Sequence, residues 1–208
     1  MRIAHKAVWG SGIRAAVALG ACVLAASCSS QVREGQGSSY LIITTLQGAP
    51  GNNPGQFGTP LLSDVVTRVG QPPAPAIFND LGQVAFQLAL KDPGSPSSPN
   101  TPTVNNFITL DRYHVDYVRA DGRNTPGVDV PYGFDGALTA TVTGVTTVSF
   151  NLVRDVAKEE APLQALSGNP VIITTLAQVT FYGHDQAGRD VTVSGNIEID
   201  FGDFADSK

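Results

Sequence analysis

The sequence predicts an all-β domain folded as an antiparallel β-sandwich of about seven to nine strands. Short runs rich in Val, Ile, Thr, Tyr and Phe are separated by Gly, Pro, Asn and Asp, and helical periodicity is scarce. Within several runs apolar and polar residues alternate, which is the period of a strand with one buried face. Both cysteines, Cys22 and Cys28, precede the predicted strands, so no disulfide can cross-link two strands of the sandwich.

The predicted strands follow these runs along the chain. Gly144 is expected at a turn or bulge between two of them, and Gly188 provides a positive φ for the hairpin that joins the last two. In chain order the predicted strands are 40–46, a weaker candidate at 61–69, then 83–91, 106–120, 138–142, 148–152, 171–182 and 191–201.

The strand 106–120 separates its two faces most clearly. One face carries Tyr113, Val115 and Tyr117, and the other carries Arg112, His114 and Asp116. The Tyr-x-Val-x-Tyr pattern and the closing Asp-Gln-Ala-Gly-Arg hairpin resemble bacterial immunoglobulin-like and fibronectin type III-like domains. The resemblance covers roughly half of the domain and implies a two-sheet sandwich, without the Cys…Trp…Cys core of antibody-type domains. Such folds carry many functions, so it implies an architecture and no activity.

The loops are unevenly distributed. Ten of the 14 prolines lie between Pro50 and Pro102, which indicates long, stiffened connections in that half. Loops are predicted at 49–60, 93–102 and 121–132. One helical turn is predicted at 158–166, and Pro162 should keep it short.

The N-terminus is typical of an export signal, which is helical in its apolar part. Arg2, Lys6 and Arg14 form a basic leader, and the stretch 15–27 is apolar or small throughout. As a helix this stretch would cover about 20 Å, whereas the hydrocarbon core of a bilayer is about 30 Å thick. The segment 1–27 is therefore predicted to be a signal peptide and not a membrane span.

A cysteine follows the small residues at the predicted cleavage site. Ala25-Ala26-Ser27-Cys28 resembles the lipobox of bacterial lipoproteins, although Ala25 stands where the lipobox usually has Leu. The resemblance implies that Cys28 is acylated and becomes the first residue of an envelope lipoprotein. The neutral Ser29 then implies sorting to the outer membrane. Two alternatives remain open: acylation at Cys22, after Leu19-Gly-Ala, and an ordinary signal peptide with incidental cysteines.

Composition divides the rest of the chain. The polar, small segment 28–39 is predicted to be a flexible tether, 40–204 the sandwich and 205–208 a short tail. The whole chain has a formal net charge of −5, and removal of the signal makes it more acidic because all three residues lost from the count are basic. An acidic chain does not suit nucleic acid, so none is predicted as a partner.

The sequence contains few residues suited to catalysis or metal binding. Beyond the signal only His114 and His184 are present, and no metal, nucleophile or phosphate-loop motif occurs, so we predict no enzyme, no cofactor and no metal. His114 beside Asp116 could form a base with its orienting carboxylate, but a solvated polar stripe is the favoured interpretation. Carboxylates at 185, 190, 200, 203 and 206 could hold calcium, although solvated turn residues are favoured.

The loop after the clearest strand is the best candidate for ligand contacts, because binding residues concentrate on loops of a rigid scaffold. The candidates are Arg119, Arg123, Asn124 and Tyr132. The predicted function is a membrane-tethered, non-enzymatic scaffold or protein-interaction domain whose partners are the membrane, through its lipid, and other envelope proteins. The alternative is a module that binds a glycan, a small solute or calcium through these loops.

The mass of the protein purified from membranes tests the anchor. We expect a diacylglycerol-sized mass increment in the wild type that Cys28→Ala lacks, because the thiol of Cys28 is the predicted attachment site of the lipid. The acyl chains would hold the protein at the membrane, since each buried CH₂ adds about 0.8 kcal/mol of membrane affinity. An increment that persists in Cys28→Ala would assign the lipid to Cys22, and no increment in either protein would contradict lipidation.

Overall fold

The computed structural model describes residues 37–204. The predicted signal peptide, Cys28, most of the predicted tether and the predicted tail from 205 lie outside the described residues. In chain order the strands are β1 (Ser39–Ala49), β2 (Leu61–Asp64), β3 (Thr67–Val69), β4 (Ala74–Ala76), β5 (Asp80–Leu90), β6 (Gly94–Ser95), β7 (Ser98–Pro99), β8 (Ile108–Val118), β9 (Phe134–Val142), β10 (Val145–Val153), β11 (Ile173–Asp185) and β12 (Asp190–Gly202). Helical structure comprises α1 (Asp155–Lys158) and two 3-10 turns, Val104–Asn106 and Leu163–Leu166.

Two large sheets form the body of the domain, which confirms the predicted all-β sandwich. One has the order β1-β5-β10 and the other β2-β12-β11-β8-β9. Their pairings are antiparallel except that of β2 with β12, which is parallel. β9 and β10 belong to different sheets, so Gly144 marks the corner where the chain crosses from one sheet to the other.

Some elements differ from their predictions. The single candidate at 61–69 is two strands, because β2 pairs with β12 whereas β3 turns away to pair with β4. The predicted loop 93–102 contains the small hairpin β6–β7. The helical turn predicted at 158–166 is instead α1 followed by the 3-10 turn Leu163–Leu166, with Pro162 immediately before that turn.

Aromatic rings from both sheets meet in the core. Phe86 and Phe150 of the three-stranded sheet contact Phe181 edge to face, with ring centroids 5.0 and 5.3 Å apart. Tyr113 of β8 lies 5.0 Å from Phe150. Tyr113, Val115 and Tyr117 are all buried, so the face predicted for this strand is confirmed. Edge-to-face rings add about 0.5–1.5 kcal/mol per pair to the stabilisation from burial.

Two of these rings cover glycines on neighbouring strands. Gly82 lies opposite Phe150, and Gly136 lies opposite Tyr113. A Cβ at Gly82 would lie 2.5 Å from Cζ of Phe150, and one at Gly136 would overlap the Tyr113 ring. Each ring therefore occupies the volume that a side chain on its partner strand would fill, and the missing Cβ leaves room for the ring.

A buried ion pair ties four segments together. Lys158 Nζ donates to Asp80 Oδ1 at 2.8 Å and to the Asp64 carbonyl oxygen at 2.9 Å. The two charged side chains are 1% and 0% exposed. The Gly51 N–H donates to Asp80 Oδ1 at 2.8 Å, and the Ser63 hydroxyl donates to Oδ2 at 2.5 Å. Both carboxylate oxygens are thus satisfied, which a buried charge requires.

Gly82→Ala should destabilise the domain by about 1–3 kcal/mol, because the new methyl group forces the Phe150 ring out of its site. The midpoint of urea unfolding measures the change. Gly144→Ala is the matched control, since nothing lies within 4 Å of a Cβ there. Equal midpoints for the two variants would contradict the ring-over-glycine packing.

Candidate functional site

The loop after β8 is ordered around one carboxylate. Arg119 Nη2 and Arg123 Nη2 lie 2.7 and 2.9 Å from Asp121 Oδ2. Asn124 Oδ1 accepts the Arg119 N–H at 2.6 Å. Hydrogen bonds from Arg119 and then Arg123 hold the pKa of Asp121 well below its usual value. The structure therefore brings together three of the four residues predicted as ligand contacts.

The fourth, Tyr132, lies outside this hydrogen-bonded network. It is 55% exposed, and its ring covers Gly127, which has a φ of 74°. A Cβ at Gly127 would overlap the Tyr132 ring, so glycine serves both the turn and this contact. Tyr132 therefore anchors the far part of the loop and remains accessible to a partner.

Arg119 also borders an open cleft of about 560 Å³. Its walls include Val118, Ile172 and Leu176, and Glu198 of β12 faces it from the neighbouring strand. The Thr175 hydroxyl is buried beside the cleft without a hydrogen-bond partner in the described part of the chain. The volume lies within the range of small-ligand pockets, roughly 300–1,000 Å³.

The cleft shares only Arg119 with the four predicted ligand residues. Arg123, Asn124 and Tyr132 belong to the same loop but do not border the cleft. Leu176 and Glu198 were not predicted as site residues. They face each other through the β11–β12 register, which no local sequence signal specifies.

His114 lies between two carboxylates on the outer face of the five-stranded sheet. Asp116 Oδ2 is 3.0 Å from Nε2, and Asp135 Oδ1 is 2.9 Å from Nδ1. Partial burial opposes the charged ring, but the hydrogen bonds to Asp135 and Asp116 outweigh it, so the pKa of His114 is raised above 6.5. Because the carboxylates lie at opposite edges of the ring, they favour its protonated form and do not converge on one ion.

Three of the predicted calcium-ligand candidates, Asp185, Asp200 and Asp203, accept hydrogen bonds from the protein, and Asp190 is exposed. Asp185 Oδ1 accepts the N–H groups of Ala187 and Arg189, each at 2.9 Å, and so orders the β11–β12 hairpin. Asp200 accepts the Thr174 hydroxyl, and Asp203 accepts the Gly168 N–H. The position 206 lies outside the described residues. Between 37 and 204 no three His, Cys, Asp or Glu side chains are grouped to hold a metal ion.

One long strand edge is regular, and the others are interrupted. The pairings of β1, β9 and β10 with their neighbours each contain a register shift, at Ile43/Thr45, opposite Leu110/Arg112, and at Asn151/Val153. β12 pairs with β11 continuously from Asp190 to Phe201 without a shift.

The outer side of β12 is largely open. β2 covers only Ile199–Gly202, so within the described residues no strand pairs with the outer side of 190–198. We call the segment 190–198 the β12 edge. Bulges are one of the ways in which proteins block strand edges against pairing with other chains, and the β12 edge has none.

Comparison with protein-family models, with curated proteins and with solved structures finds no match to this chain. None of the helices between 37 and 204 has the length and apolarity needed to cross a bilayer.

The contribution of His114 to stability should depend on pH. Since its pKa is raised in the folded state, the stabilisation is fully present below about pH 6.5 and is lost as the pH rises through the folded value. Urea unfolding across pH 5 to 9, approximately the range in which histidine titrates, should show this decrease in the wild type. His114→Gln should lack it, and His184→Gln should retain it. An identical pH profile for wild type and His114→Gln would contradict the assignment.

Proposed function

We propose that this chain is a non-enzymatic envelope lipoprotein, acylated at Cys28, tethered to the outer membrane, and carrying an immunoglobulin-like sandwich that binds other envelope proteins. The sequence at the predicted cleavage site supports the anchor. The observation that carries the binding role is the regular β12 edge, because an open edge of this kind accepts an added strand from a partner.

The surroundings of the β12 edge suit such an addition. Val191 and Val193 are half-buried, and Ile43 and Leu46 of β1 rest against Gly195. These aliphatic side chains form an apolar border beside the open backbone groups. A partner strand would gain main-chain hydrogen bonds from the edge and apolar contacts from this border.

The charge at the β12 edge indicates what kind of strand fits. Asp190 and Glu198 stand exposed at its two ends. A second copy paired antiparallel about Ser194 would set Asp190 opposite Glu198, and like charges directly opposite are destabilising. The preferred partner is therefore a different protein whose extended segment carries Lys or Arg toward its ends.

Crosslinking in the native membranes tests this role. Thr192→Lys places a flexible charge on the β12 edge, and Thr139→Lys makes the same change on β9, whose edge is bulged. Both threonines are exposed. We expect a discrete crosslinked partner with the wild type and Thr139→Lys, and its loss with Thr192→Lys, because lysine on an edge strand opposes strand addition. Equal capture by both variants, or no discrete adduct with the wild type, would contradict the proposal.

A second candidate is a ligand-binding module that uses the cleft beside Arg119. The cleft volume favours it. A bound ligand at 100 times its Kd would stabilise the fold by about 2.7 kcal/mol. Thermal unfolding against a panel of oligosaccharides and calcium salts should show an increase in Tm that Glu198→Gln reduces, and no increase across the panel would count against this candidate.

A further inference from the structure

The contact between Lys158 and Asp80 holds an amine within hydrogen-bond distance of a carboxyl group in the protein interior. The amine nitrogen lies 2.8 Å from Oδ1, so it is also close to the carboxyl carbon that carries this oxygen. Residues 78 positions apart in the chain are held in this contact with 1% and 0% of their side chains exposed. Holding two groups in one orientation replaces a bimolecular encounter, which is equivalent to effective concentrations of about 10⁵–10⁸ M.

Burial favours the uncharged form of Asp80. Desolvation raises the pKa of Asp80, and the nearby Lys158 charge and the hydrogen bonds only partly oppose it. Transfer of one proton from the ammonium to the carboxylate gives an amine beside a carboxylic acid. An uncharged amine is a nucleophile, and an uncharged acid is a far better electrophile than a carboxylate.

The groups around the pair are placed to assist acyl transfer. The Gly51 N–H donates to Oδ1 at 2.8 Å, where negative charge develops when the amine adds to the carbon. The Ser63 hydroxyl donates to Oδ2 at 2.5 Å and can pass a proton to that oxygen as it leaves. The Asp64 carbonyl oxygen, 2.9 Å from Nζ, orients the amine.

We propose that Lys158 and Asp80 become joined by an intramolecular amide bond in the folded protein. The bond between Nζ and the Asp80 carboxyl carbon forms, and the bond from that carbon to Oδ2 breaks. Oδ2 leaves as one water molecule that takes two of the three protons of the Lys158 ammonium group, and the third proton stays on the amide nitrogen. No oxidant, reductant or other reactant is needed.

The amide would change the energetics of the site. It replaces two buried charges, whose desolvation costs several kcal/mol per ion, with a neutral group whose oxygen keeps the Gly51 hydrogen bond. It would also close a covalent loop across the sandwich, which restricts the unfolded chain as a disulfide does. No cysteine follows Cys28 in the sequence, so a disulfide cannot serve this purpose within the domain.

Tryptic mapping of the denatured full-length protein tests the proposal directly. Without the bond, trypsin cleaves after Lys158 and releases the separate peptides 155–158 and 69–91. With the bond, cleavage after Lys158 is blocked, and a branched species joins 155–189 to 69–91 with a mass lower than the sum of the two peptides by one water. We expect the branched species, and fragmentation should locate the link at Lys158 and Asp80.

Variants distinguish this bond from other causes of missed cleavage. Asp80→Asn should give the same branched product through loss of ammonia, and Ser63→Ala should accumulate it more slowly. Lys158→Met should release 69–91 unbranched. Since the measurement on the wild type decides the matter, poor folding of a variant leaves the test intact. Stoichiometric recovery of free 155–158 from the wild-type protein would overturn the proposal.

Discussion

The arrangement around Asp80 depends on one constraint, which is that a lysine buried in a β-sandwich must find its partners inside the protein. Removing one partner of a buried pair leaves an uncompensated charge and costs about 3–5 kcal/mol. The contacts of Lys158 and Asp80 therefore fix the positions of several chain segments as well as the two side chains. They hold the turn after β1 through Gly51, β2 through Ser63, the start of β5, and α1 after β10.

The aromatic core and the Lys158–Asp80 pair stabilise different parts of the sandwich. Rings that lie over Gly82 and Gly136 pack the middle of the sandwich, where neither sheet carries a disulfide. The Lys158–Asp80 pair acts on the connecting segments through Gly51, Ser63 and Asp64. In a chain with long proline-containing loops, this second set of contacts keeps the connections ordered, and with them the positions of β1 and β12 at the open side of the sandwich.

The parts predicted from the sequence are those specified by neighbouring residues. Alternation along 106–120 placed Tyr113 and His114 on opposite faces correctly, because the period of a strand is local. The loop residues Arg119, Arg123 and Asn124 are associated because they lie within a few positions of Asp121. The contacts of His114 with Asp135 and of Lys158 with Asp80 depend on strand register and on segments far apart, which alternation does not specify.

The proposed binding role also depends on contacts between distant segments, which the local sequence does not specify. A strand edge is an attribute of the whole sheet, and the sequence of β12 resembles that of any other alternating strand until its neighbours are known. Binding by strand addition also requires that the edge be straight and rigid before the partner arrives, since ordering it on contact would reduce the affinity. Continuous pairing with β11 keeps the β12 edge straight, and contact of Ile43 and Leu46 with Gly195 makes it more rigid. A bulge of the kind found in β1, β9 and β10 would remove both, which is why the regularity of this one edge, rather than its exposure, supports a binding role.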